Sequence, residues 1–108
     1  MEKIKEILGL KIHAIIHNYD EKKISISFDN TNKRIEFYDC PLVFDSGVIG
    51  KIVHIAEGYS GEMSFVILFR EMGLDSEDYS YFMIKGEEGI RHSQNQMRIA
   101  YKRLGLIE

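Results

Sequence analysis

The chain has 108 residues, 44% of them hydrophobic and 29% charged, with a formal net charge of −3. That length supports one hydrophobic core rather than two, and the composition excludes wholesale disorder and a collagenous or fibrous chain. The single cysteine, Cys40, excludes an intramolecular disulfide framework and favours a reducing, cytoplasmic compartment.

Met1 to Leu8 alternates charged and apolar residues, without the continuous apolar segment of a signal peptide. Within it Ile4, Ile7 and Leu8 share a helical face ahead of Gly9, so a short N-terminal helix is predicted. From Leu10 the period becomes two: Leu10, Ile12, Ala14 and Ile16 alternate against Lys11, His13, Ile15 and His17. Ile24, Ile26 and Phe28 alternate against Ser25, Ser27 and Asp29, and Ile35 and Phe37 against Arg34, Glu36 and Tyr38. Polar turns at residues 20–23 and 30–33 join these runs into a three-stranded meander.

Pro41 ends the third strand, and an irregular stretch is expected through Leu42, Val43 and Phe44 to the turn at Asp45, Ser46 and Gly47. A fourth strand covers residues 51–57. Residues 64–70, around the apolar run from Phe65 to Phe69 that is too short to cross a bilayer, read as a central strand buried on both faces. Residues 72–78 read as an acidic loop or short helical turn, and residues 79–84 as an aromatic-rich strand ended by Gly86. Met97, Ala100, Tyr101 and Leu104 lie at i, i+3, i+4 and i+7, which predicts a closing amphipathic helix over residues 90–104. The expected architecture is a single α+β domain over residues 1–108. It has about six strands in a mostly antiparallel twisted sheet or half-barrel, a short N-terminal helix, and the C-terminal amphipathic helix packed on the sheet.

Charge is unevenly spread. Arg91, Arg98, Lys102 and Arg103 fall in the last 18 residues against one acid, Glu108; subtracting them from 14 basic and 17 acidic residues leaves ten basic and sixteen acidic side chains elsewhere. An acidic body disfavours nucleic acid as a partner. Arg91, Asn95, Arg98 and Lys102 recur at i, i+4, i+7 and i+11, a basic and polar stripe that suits an acidic partner or phosphates, though a solvated outer helix face is the commoner reason for such a stripe.

No motif calls for a metal, a cofactor or a catalytic nucleophile. His13 and His17 stand about 13 Å apart on a strand, too far to share a metal. Gly58, Tyr59, Ser60, Gly61 and Glu62 fail the nucleophile-elbow pattern, which needs glycine where Glu62 stands. Gly47 to Lys51 lacks the glycine spacing of a phosphate loop, and Asp75, Glu77 and Asp78 lack the register of a calcium loop. Cys40 reads as a small buried hydrophobe, and nothing converges Glu36, Asp39 and Glu57.

Three functions remain as expectations. The first is a non-catalytic module, immunity- or antitoxin-like, whose acidic body docks a basic protein, with Asp75, Glu77, Asp78, Tyr79, Tyr81, Arg91, Arg98 and Lys102 as partner-binding residues. The second is a small-ligand or enzymatic pocket in the curved sheet, built from Tyr38, His54 and Tyr81. The third is single-stranded nucleic-acid binding. A homodimer formed through an open sheet edge is compatible with all three.

Overall fold

Alternation of period two shapes most of this chain, and in the computed structural model, which describes residues 2–60, 63–86 and 95–108, it yields a mostly β protein. Among the described residues eight strands form two antiparallel sheets of four. The strands are β1 (Ile12–Asn18), β2 (Lys23–Phe28), β3 (Arg34–Tyr38), β4 (Leu42–Asp45), β5 (Val53–Tyr59), β6 (Ser80–Gly86), β7 (Gln96–Tyr101) and β8 (Arg103–Ile107). Sheet I has the order β1-β2-β3-β8 and sheet II the order β4-β7-β6-β5. One helix of nine residues, α1 (Met63–Glu71), and 3₁₀ turns at Glu2–Ile7 and Ser76–Asp78 complete the described elements.

The two sheets stack over one core. Sheet I contributes Ile12, Ile24, Ile26, Phe28, Ile35 and Phe37, and sheet II contributes Val53, Phe82, Ile84, Met97, Ile99 and Tyr101. The Phe37 ring lies 5.4 Å from that of Phe82 and 5.3 Å from that of Tyr101, joining the layers at their centre. At one side the starts of β1 and β5 are tied by backbone bonds, Ile12 N–H donating to the Lys51 carbonyl at 2.9 Å and Val53 N–H to the Leu10 carbonyl at 2.8 Å. The sheets do not close into a barrel, and β1, β8, β4 and β5 are left as edges.

This arrangement corrects the α+β expectation of one six-stranded sheet closed by a C-terminal helix. The predicted helix over residues 90–104 is strand from Gln96 onward, turning at Lys102 from β7 in sheet II to β8 in sheet I; its residues 90–94 lie outside the described residues. Helical spacing arose there because β7 is buried on both faces. Met97, Ile99 and Tyr101 enter the core while Ala100 packs under α1, and the bend at Lys102 resets the phase so that Leu104 points inward again.

The predicted central strand over residues 64–70 is the helix α1. A short, continuously apolar run has no periodicity to separate the two states, and Phe65 and Phe69, four residues apart, put one helical face against the outer side of sheet II. The stretch from Leu42, expected to be irregular, is β4, paired with β7 from Leu42 opposite Ala100 to Asp45 opposite Met97. The N-terminal helix is a 3₁₀ turn that ends before Gly9, whose φ of 84° suits glycine. The meander β1-β2-β3 is present, but a register shift between Ile12 and Ala14 reverses the alternation expected along β1, so that Ile15 packs on the core and Ile16 is exposed.

Gly86 closes β6 where two backbones meet. A Cβ added there would lie 2.6 Å from the Lys51 Cβ, an atom too close to the main chain to swing aside. Gly86→Ala is therefore expected to lower stability by about 1–2 kcal/mol through overpacking, read as a shift of the urea midpoint with an unchanged slope.

Candidate functional site

The outer face of sheet II builds an open concavity at one end of its β5–β6 ladder. β5 and β6 run antiparallel to Tyr59 opposite Tyr81, and α1 lies across that end of the sheet. Asp75 caps the 3₁₀ turn Ser76–Asp78 by accepting the Glu77 N–H at 2.9 Å, as an aspartate before a helical turn does. The Tyr81 hydroxyl then donates to the Ser76 carbonyl at 2.7 Å, fixing the turn to β6.

What results is an open cleft of about 790 Å³ between the end of β5, the start of β6, Val66 of α1 and the turn, walled by Tyr59, Tyr79 and Tyr81, with Glu77 and the end of β7 at Tyr101 among its lining. The rings are held by one another: Tyr59 lies 5.9 Å from Tyr81, Phe65 stacks on Tyr81 at 5.8 Å, and Tyr79 stacks on Phe69 at 4.9 Å. Lys102 places its Nζ 5.1 Å over the Tyr79 ring, so this wall already carries one cation.

Beside the cleft, α1 presents Met63, Ile67 and Leu68 to solvent, with Met63 69% exposed, and Met72 just past its end is exposed too. A helix apolar on both sides, one of them uncovered, is a mark of an interaction surface.

Of the residues singled out in the sequence, Glu77, Tyr79 and Tyr81 line this cleft, Lys102 borders it, and Asp75 and Asp78 flank Glu77 on the exposed turn. Arg98 is elsewhere, on the same sheet face but over the Phe44 ring at 4.5 Å, and Arg91 lies outside the described residues. Strand alternation dissolves the basic stripe, sending Arg98 to sheet II and Lys102 to the bend, while the neighbouring Arg103 begins β8 in sheet I.

Tyr38, His54 and Tyr81 are not brought together. Tyr38 faces outward from sheet I, His54 sits exposed at the irregular start of β5, and Tyr81 is at the far end of that ladder. His13 bonds Asp29 at 2.9 Å, His17 stacks on Tyr19 at 4.0 Å, and among the described residues no three His, Cys, Asp or Glu side chains gather to hold a metal. Residues 61 and 62 of the glycine-flanked segment, and His92, lie outside the described residues. Cys40 is buried, and desolvation, reinforced by the Asp39 charge, pushes its thiol up to about 12, so it is no thiolate at neutral pH.

Sequence reasoning passed over a second cluster, on the outer face of sheet I. Glu36, 6% exposed, accepts hydrogen bonds from the Tyr38 hydroxyl at 2.8 Å and the Ser25 hydroxyl at 2.9 Å, and pairs with Lys23 at 3.1 Å and the Arg34 Nε at 3.4 Å. Burial raises its pKa, but the hydrogen bonds from Tyr38, Ser25 and Lys23 outweigh that and hold the carboxyl at about 2. The same bond raises the Tyr38 hydroxyl above its usual range. The available signal was register: Glu36 faces Ser25 across β2, with Lys23 and Tyr38 on the same side.

Comparison with known protein families, with curated protein sequences and with solved structures finds no match.

Proposed function

We propose that this chain is a non-catalytic protein-binding module, immunity- or antitoxin-like in character, whose tyrosine-walled cleft receives a basic side chain of its partner. The observation that carries the reading is the cleft itself: aromatic walls with Glu77 in the lining, and Asp75 and Asp78 on the same turn. Aromatic faces and carboxylates are the two groups that attract a Lys or Arg side chain, and tyrosines are frequent anchors at interface centres. The cation of Lys102 on Tyr79 is an intramolecular instance of the same contact. The exposed apolar side of α1 supplies the adjoining area such a partner would cover. Acidic surfaces also speed encounter with basic proteins. A free, buried Cys40 suits a reducing, cytoplasmic setting for that encounter.

Affinity purification of the natively expressed, tagged chain tests this. A stoichiometric basic protein is expected to co-purify, to be lost on Glu77→Lys, and to bind Tyr59→Ala about 30-fold more weakly, the scale of an aromatic hot spot. Recovery of the chain alone or with a small molecule, or a partner indifferent to both substitutions, would sink the proposal.

A further inference from the structure

The four sheet edges are not equally protected. An exposed edge strand invites pairing with another chain, and proteins blunt it with bulges, prolines, short length or outward charges. β1 carries a register shift between Ile12 and Ala14, and β5 one between Val53 and Ile55. β4 has four residues, begins beside Pro41 and ends on exposed Asp45. β8 has none of these devices. It pairs with β3 in unbroken register from Arg34 opposite Ile107 to Tyr38 opposite Arg103, with sequence Arg-Leu-Gly-Leu-Ile. Its one charged side chain is turned back over the sheet, the Arg103 guanidinium lying 4.9 Å over the Tyr38 ring. Among the described residues, no backbone hydrogen bond beyond the β3 ladder reaches β8.

We propose that the β8 edge pairs antiparallel with β8 of a second copy of this chain, about a two-fold axis at Gly105, joining two four-stranded sheets into one of eight. The strand's own sequence selects a copy as the occupant. Reversed about Gly105, Leu104 faces the partner's Leu106 on the core side, and Arg103 faces the partner's Ile107 on the outer side. The core-side pairs are then leucine on leucine, matching the inward row in which Leu104 and Leu106 already pack. At the axis glycine meets glycine, and the outer face over Gly105 is open, with nothing within 4 Å of a Cβ built there. A two-fold axis closes the assembly at two copies and hides both unprotected edges at once.

The pairing fixes its own test, because Ile107 stands across from the partner's Arg103 and lies on the face away from the core. In sedimentation of the full chain over a concentration series, a reversible monomer–dimer equilibrium is expected. Ile107→Lys sets like charges opposite each other twice and should weaken the dimer roughly tenfold, whereas Ile107→Glu sets opposite charges there and should tighten it. Circular dichroism at dilutions where every form is monomeric confirms that the variants fold. If Ile107→Lys fails to fold, the Ile107→Glu comparison decides alone, tightening supporting the pairing and no change overturning it. A chain monomeric at every concentration overturns it, as does a dimer indifferent to both charges but broken by Ile67→Asp on α1.

Discussion

Phe37→Ala is expected to lower the unfolding free energy by about 3–5 kcal/mol, a large part of the roughly 5–15 kcal/mol that holds a domain together. Phe37 is fully buried on the core side of β3, and its ring touches Phe82 and Tyr101, both on the opposite sheet. Truncation leaves a cavity between two layers that are each stiffened by their own ladders, so neither can collapse to fill it. Phe44→Ala is the contrast: that ring is 40% exposed on the outer face beneath Arg98, and its loss should cost under about 1 kcal/mol. Urea unfolding of both variants beside the parent chain measures the difference. A cost for Phe37→Ala no larger than that for Phe44→Ala would mean that the two sheets do not share the core through this ring.

The same residue explains how far the sequence could be read. Where a strand has one face in the core and one in water, as in β2 and β3, period two is plain, and Ile24, Ile26, Ile35 and Phe37 are identifiable at sight. Where a layer lies on both faces the signal fails. Ala100 under α1 and Tyr101 in the core are consecutive buried residues, and with Leu104 past the bend they imitate a helix. α1 fails for the opposite reason: it is apolar on its buried side and on its uncovered side, so neither period emerges from residues 63–71. The cleft was half legible. Its tyrosines and acids stood out by type, but what unites Tyr59 with Tyr79 and Tyr81 is a strand pairing across the α1 excursion, a non-local contact that spacing does not encode. The basic residues near the end are visible as charges, but their helical stripe does not form, because strand and bend lay Arg98, Lys102 and Arg103 each on a different aromatic ring.

Acidification should expose the second cluster. Folding lowers the Glu36 carboxyl from 4.5 to about 2, so its ionised form is favoured by the native state. The stabilisation is fully present above pH 4.5 and is lost as pH falls from there toward 2. Allowing for solvent screening on an open sheet face, its size is on the order of 2 kcal/mol. Glu36→Gln keeps the shape but removes the charge that Lys23 and Arg34 neutralise, leaving two cations on one face without their counter-charge. At pH 7 the variant should be less stable than the parent by about 2–3 kcal/mol. The gap should narrow steadily as pH approaches 2, because the parent's carboxyl is then protonated as well. Unfolding free energies of both proteins across that range separate this from a packing effect, which would leave the gap constant. A constant gap would show that Glu36 acts by its shape and not by its charge, and that Lys23, Tyr38 and Arg34 converge on it without binding its ionised form.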